Sequence, residues 1–413
     1  MDKNKRLTVW LPVIIAASIA LGIFIGNHYL SISQGKKRSY SSGNKINAIL
    51  DIIDEQYVDT VSMSKLVEST IPKIFSELDP HSVYIPAEDA SVVNEELEGS
   101  FSGIGVSFNM QTDTILVISV ISGGPAEKAG LLPFDRIISI NDSIFSGKKK
   151  NQGEIMKTLR GAKNSTVKLG VQRGNSPELL YFDVTRGDVP VNSVDVSFEA
   201  AKGIGYIKVS KFARNTYNEF ITAIAKLKQA GCTSFVIDLR GNTGGYMDAA
   251  INMINEFMPE GRLIVYTEGK SFPRSDVYAN GTGTCKDAPI VVLTDEISAS
   301  ASEIFSGAIQ DNDRGTIIGR RTYGKGLVQN QMSLSDGSEM RLTIARYYTP
   351  SGRCIQKKYE MGNTDAYDQD IYNRYMHGEF DSADSIKMDD SLKYQTVGGR
   401  TCLLYTSDAA DEE

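Results

Sequence analysis

Apolar and polar positions divide the chain into stretches of different period. From Leu7 to Ile25, LTVWLPVIIAASIALGIFI runs for nineteen residues without a charge, and about 20 apolar residues cross a bilayer as a helix. Ser31 to Gly43 is polar and Ser/Gly-rich, the composition of a tether. In Asn44–Tyr57 and Ser62–Leu78 apolar residues recur every three or four positions, which predicts two amphipathic helices. LDPHSVYIPAED, Leu78 to Asp89, carries two prolines and is expected to run as a loop. Between about Gly99 and Arg186 come short β-rich runs (TILVISVI, RIISIN, TVKLGVQR, LLYFDVTR) separated by Gly, Pro, Asn and Asp, a small β-rich domain. After Val189 the order is strand GIGYIKVS, a helix over Thr216–Ala230, strand SFVIDLR, a helix after Gly245 and strand PIVVLT. Strands alternating with helices imply an α/β core. No stretch repeats at a fixed period, so solenoids and propellers have no support.

Composition narrows the function classes. The 413 residues, 41% apolar and 23% charged, suit a globular body of two or three domains. A net charge of -7, from 44 basic and 51 acidic residues without a basic stripe, gives nucleic acid no footprint. His28, His81 and His377 stand far apart in no ligand pattern, so a zinc hydrolase is excluded, and neither metal nor cofactor is implied. Cys232, Cys285, Cys354 and Cys402 lack CxxC spacing and disulfide density and read as free thiols. Lys3, Lys5 and Arg6 precede the apolar stretch, and Gly26–Tyr29 offers no small-residue cleavage site. The expectation is an uncleaved single-pass anchor in a bacterial inner membrane with an exported, periplasmic or extracytoplasmic body. Cys402–Glu412, CLLYTSDAADE, resembles one frame of a sequencing-library adaptor and is set aside, which would leave the core cut short near residue 400.

Candidate chemistry lies in the α/β part. Strand PIVVLTDE runs into Ser298-Ala299-Ser300-Ala301-Ser302-Glu303 and then a helical pattern. A serine at such a junction can attack a carbonyl while a backbone amide at the helix start meets the oxyanion. Ser298, Ser300 and Ser302 all qualify by composition. They also suit plain helix capping, with Glu303 completing a capping box. Lys325 stands between Gly324 and Gly326, and a lysine becomes a general base when burial keeps it neutral. In DLRGNTGG the paired Gly244 and Gly245 allow backbone amides to face a bound carbonyl.

Two resemblances sharpen this reading. GGPAEKAGLLPFDRIISIND, Gly123 to Asp142, resembles a PDZ domain, and Gly103, Ile104, Gly105 and Val106 match the loop that captures a peptide's terminal carboxylate. SASASE, TYGKGLVQ and DLRGNTGG together resemble the C-terminal processing, or tail-specific, peptidases over about Asn44 to Lys358. That resemblance implies Ser300 as nucleophile, Lys325 as base, Gln329 as the lysine's orienting partner, and an oxyanion hole from Gly244 or Gly245 with Ala301. It departs from the family's commoner Pro at Thr243 and Phe at Tyr323.

The expected architecture is a crotonase-like (ClpP/crotonase-type) α/β peptidase core with an inserted PDZ domain. Its expected divisions are residues 1–30 anchor, 31–43 linker, 44–90 helical region, 91–188 PDZ domain, 189–400 core and 401–413 adaptor-like tail. Expected partners are protein or peptide substrates with exposed C-terminal tails and the membrane; an oligomer is left open. The alternatives are a crotonase-like acyl-thioester enzyme and a non-catalytic envelope scaffold binding tails through its PDZ domain.

Overall fold

The computed structural model describes residues 16–23, 42–111, 114–145, 152–382, 385–386 and 393–403. The chain divides into two compact units, residues 1–70 and 71–413. In the first, residues 16–23 form helix α1 and Ser42–Gln56 helix α2. Most of the anchor and tether expected from the sequence lies outside the described residues, among which no helix is long and apolar enough to cross a membrane. Helix α3, Met63–Phe75, runs across the boundary between the units.

The second unit begins with a departure from expectation. Within the stretch expected to be a loop, Val83–Ile85 form strand β1, which pairs antiparallel with a later strand through Val83↔Arg341 and Ile85↔Glu339. Tyr84 and Ile85 are buried by that pairing, which supplies what two flanking prolines deny locally. Helix α4 follows (Ala87–Glu98), ended by Gly99 at φ 75°, the left-handed conformation that glycine adopts without a Cβ penalty.

The β-rich domain opens and closes on a ribbon, β2 (Ser100–Gly103) paired with β9 (Gly187–Pro190). Between them lie β3 (Val106–Gln111), β4 (Thr114–Val120), helix α5 (Pro125–Ala129), β5 (Arg136–Ile140), β6 (Ser143–Ile144), helix α6 (Gln152–Leu159), β7 (Thr166–Gln172) and β8 (Leu180–Thr185). The sheet order is β3-β4-β5-β7-β8, with β6 on β5. Val167, Leu169 and Val171 of β7 alternate into its core beside Ile115, Val117 and Ile137, the two-residue period of a strand with one buried face.

The α/β core has a sheet ordered β10 (Val194–Ala201), β11 (Ile204–Val209), β12 (Ser234–Asp238), β15 (Ile290–Thr294), β16 (Thr316–Gly319), parallel from β11 onward. Helix α7 (Thr216–Gln229) buries Phe220, Ala223, Ile224 and Leu227 and leaves Lys226 and Lys228 in water. Its spacing gives one apolar stripe. Helix α8 (Met247–Asn255) packs on it. A second sheet holds β1, β18 (Glu339–Tyr348), β13 (Leu263–Gly269) and β14 (Phe272–Tyr278), with β17 (Leu327–Ser333) on β18. Helix α9 (Ala301–Asp311) contacts β16 of one sheet and β13 of the other and is buried along its whole length. Phe257 meets Phe220, Phe235 and Phe305 edge-on at 6.2–6.5 Å, tying α7, β12 and α9 into one core. Short helices α10 (Asp365–Asp368) and α11 (Asp370–Met376) follow, then hairpin β19 (Lys393–Gln395) and β20 (Thr401–Leu403). The adaptor-like stretch thus has Cys402 and Leu403 in β20, and residues 404–413 lie outside the described residues.

Candidate active site

Parallel strands β12 and β15 end side by side, Asp238 opposite Leu293, and their carboxyl ends deliver the two loops of the site. Such ends are where open α/β sheets bind ligands. The loop after β12 carries Gly244 and Gly245, the loop after β15 carries the three serines, and both line a cleft of about 930 Å³ with Ser300, Lys325, Gln329, Arg341 and Tyr347 on its walls.

Hydrogen bonding separates the serines that composition leaves equivalent. Ser298 is fully buried and its hydroxyl donates to the Leu239 carbonyl at 2.8 Å. Ser302 is equally buried and donates to the Asn242 carbonyl at 2.9 Å. Ser300 is the half-buried one, and it lines the cleft. Its backbone stands at φ 55°, ψ -111°, a conformation that costs a non-glycine residue about 1–3 kcal/mol and survives where its surroundings over-determine it.

Those surroundings are explicit. The Glu303 carboxylate, 1% exposed, accepts four hydrogen bonds. One oxygen takes the Ser300 and Lys325 amides, both at 2.8 Å; the other takes the Thr322 hydroxyl and the Gly324 amide, both at 2.7 Å. Burial pushes the Glu303 carboxyl above its ordinary range against the pull of these donors. From the other side the Tyr347 hydroxyl donates to the carbonyls of Ser300, at 3.1 Å, and Lys325. Two buried side chains thereby clamp the serine elbow to the lysine loop. The capping reading of Glu303 holds for its bond to the Ser300 amide, and the remaining three bonds lie beyond what a capping box contains.

Lys325 is half-buried; burial, with the Arg341 charge next, lowers the pKa of its amine. Its Nζ donates to Gln329 Oε1 at 3.2 Å, both residues belonging to the segment that leads into and along β17. Ser300 and Lys325 share the cleft, and among the described residues they are not hydrogen-bonded to each other.

The glycine pair also divides. The Gly244 amide is committed to Asn242 Oδ1 at 2.9 Å. The amides of Gly245 and Ala301 have no acceptor among the described residues. Gly244 lies against the elbow: a Cβ added there would meet Ser300 Cβ at 2.8 Å and the Ala301 nitrogen at 3.1 Å. At Gly245, φ 138°, a Cβ would fall 2.1 Å from the Phe212 carbonyl oxygen.

In the β-rich domain Ile104, Gly105 and Val106 line a groove of about 220 Å³ between β3 and α6. Gly103 is absent from its lining and instead pairs with Gly187 at the end of the β2–β9 ribbon. Groove and cleft share Phe101 and Arg160; the Arg160 guanidinium lies 4.5 Å over the Phe101 ring and pairs with Glu95 at 3.0 Å. Sequence reasoning missed these two, and also Glu303 beyond its cap, Tyr347 and His81. His81 offers its main-chain carbonyl to Gln329 Nε2. No local signal marks them, because each acts on residues far away in the chain.

The family model for Peptidase family S41 matches residues 203–365, and that for a PDZ domain residues 102–195. The carboxy-terminal processing protease CtpB of Bacillus subtilis (strain 168) is 35% identical over 318 residues, covering 76% of this chain and 66% of that protein. A "Probable CtpA-like serine protease" of Staphylococcus aureus (strain N315) is 33% identical over 365 residues, covering 86% of this chain and 72% of that one. Among solved structures, a photosystem II D1 C-terminal processing protease is similar over 77% of this chain and 91% of its own, at 27% identity and a TM-score of 0.43.

Proposed function

Because the chain belongs to peptidase family S41, the family of the carboxy-terminal processing serine proteases, we propose that it cleaves proteins presenting unstructured C-terminal tails, with Ser300 as nucleophile and Lys325 as general base. One observation carries the assignment: of three serines at the strand-to-helix junction, only Ser300 faces the cleft that also holds a lysine disfavoured as ammonium.

A tail docks along β3 with its carboxylate at the Ile104–Val106 loop, and the chain runs past Phe101 and Arg160 into the cleft. Neutral Lys325 takes the Ser300 hydroxyl proton as the oxygen attacks the scissile carbonyl carbon. The oxyanion is met by the amides of Gly245 and Ala301, the two left without acceptors. Collapse breaks the C–N bond, the leaving amine takes the proton from Lys325, and an ester to Ser300 remains. Water, deprotonated by Lys325, hydrolyses the ester and restores the serine. No histidine relay is required, since serine–lysine pairs are a convergent variant of the triad.

The crotonase-type reading of the core is supported by parallel strands whose carboxyl ends supply the glycine loop and the nucleophile. The uncharged Leu7–Ile25 segment behind Lys3, Lys5 and Arg6 supports a membrane anchor with the peptidase body on the extracytoplasmic side. The test incubates an unstructured protein of apolar C-terminus with wild type, Ser300→Ala and Lys325→Ala. Both variants should lose cleavage; equal cleavage by all three rules the assignment out.

A further inference from the structure

We infer that Tyr367 and His81 are positioning residues for the general base, the Tyr367 hydroxyl fixing, through the His81 ring, the carbonyl that turns the Gln329 amide oxygen towards Lys325. This rests on the reading of Lys325 as the base.

A glutamine amide has a donor end and an acceptor end, and only one orientation serves a lysine amine. Gln329 Nε2 donates to the His81 main-chain carbonyl, which leaves Oε1 to accept from Lys325 Nζ at 3.2 Å. Turned over, the amide would set oxygen against oxygen at His81 and point its NH2 at Lys325, opposing an ammonium or occupying the lone pair with which a neutral amine takes a proton. The position of one backbone carbonyl therefore decides which end the catalytic amine meets.

That carbonyl belongs to a residue held at both ends. On the backbone side, Asp79 Oδ1 accepts from the His81 and Ser82 amides at 3.0 and 3.1 Å. On the ring side, His81 Nε2 lies 2.8 Å from the Tyr367 hydroxyl, with the rings edge-on at 5.2 Å. A third residue meets the same hydroxyl. Gln356 Oε1 accepts from the Gly326 amide at 2.9 Å, so its Nε2 is the end that donates to the Tyr367 hydroxyl at 3.3 Å. The hydroxyl, an acceptor there, keeps its own hydrogen for His81 Nε2 in the ring tautomer protonated on Nδ1. Burial holds the imidazole down to about 4, so at neutral pH the ring is uncharged and carries one acceptor nitrogen.

Tyr367 is thus a node of two paths that end on either side of the lysine, one through His81 and Gln329 to its amine, one through Gln356 to the backbone of Gly326. The ring is fixed independently: it is 4% exposed, and the Lys357 ammonium lies 4.0 Å from its centre and bonds to Asp370 at 3.1 Å. Removing the hydroxyl alone should leave this cage in place.

The experiment uses the full chain and the tail substrate, comparing wild type, Tyr367→Phe, Gln329→Leu and the double variant. Tyr367→Phe should lower kcat about tenfold with KM little changed, since misplacing a reacting group acts on the chemical step. The acid limb of its pH profile should move to lower pH, because a carbonyl acceptor favours the ammonium and its loosening favours the amine. The double variant should lose clearly less than the two single losses multiplied together, because the path through His81 and Gln329 is common to both. Wild-type kcat and pH profile in Tyr367→Phe, a loss confined to Tm, or additive losses in the double variant would each overturn the inference. Undiminished cleavage by Lys325→Ala would instead remove the reading of Lys325 beneath it, whatever Tyr367→Phe does.

Discussion

Replacing Glu303 by Gln tests whether one buried carboxylate holds the reacting groups in register. The carboxylate serves four donors, two on each oxygen. Glutamine keeps one acceptor oxygen, and its best orientation turns the NH2 towards Thr322 and Gly324. The Thr322 hydroxyl can rotate and accept, whereas the Gly324 amide cannot. One buried N–H is orphaned, at about 1–3 kcal/mol, and the bonds that survive lose their charge assistance; the sum is about 2–5 kcal/mol. Against a typical stability of about 5–15 kcal/mol the variant should fold. Glu303→Ala, which strips the partner from three backbone amides at once, is the less informative change. Gly324 loses its acceptor and directly precedes Lys325, whose own amide stays on the retained oxygen, and displacements near 1 Å can cost about a hundredfold in rate. The expected result for Glu303→Gln is therefore kcat down by about 10–100-fold with KM little altered, and a lower Tm by calorimetry. A Tm that falls while kcat stays at the wild-type value would refute the argument: the carboxylate would then hold the fold without aligning Ser300 and Lys325.

Two further outcomes follow from the same geometry. Burial, with the Lys325 charge second, lowers the His81 pKa from 6.5 to about 4, so between those values the unfolded chain binds a proton that the folded chain refuses, and stability falls with decreasing pH by at most about 3 kcal/mol. Urea unfolding across that window should give a shallower pH dependence for His81→Gln, and an unchanged slope speaks against the burial argument. Gly245→Ala drives a Cβ to 2.1 Å from the Phe212 carbonyl and should cut kcat by about a hundredfold or more by displacing an oxyanion donor. Gly241→Ala, at φ 71° with open space at its Cβ, should lower Tm through backbone strain while keeping most of kcat, and equal losses of kcat at the two glycines would deny Gly245 a special role.

The alternation of strand and helix after Val189 was readable because each element buries one face with its own period, as in β15 and α7. The candidate site was readable where a motif is contiguous, in the serine run and in the flanked lysine, which the fold brings to one cleft. What could not be read depends on partners brought in by tertiary packing. The choice among Ser298, Ser300 and Ser302 rests on which hydroxyls find the Leu239 and Asn242 carbonyls, and that between Gly244 and Gly245 on the Asn242 side chain. Strand β1 was hidden because its pairing partner lies more than 250 residues onward. Gly103 looked like part of a peptide loop because glycine spacing reports backbone freedom and not which side of a strand meets the groove.

The elbow at Ser300 has two anchors on its main chain, its amide held by Glu303 and its carbonyl by Tyr347, besides the capping contact of its side chain with the Glu303 amide. Both main-chain anchors remain when the hydroxyl is removed, at the cost of the one capping contact it makes. An alanine at this position should give a protein that still engages its clients but never releases them as products, a ready-made trap for isolating whatever the cell presents to it.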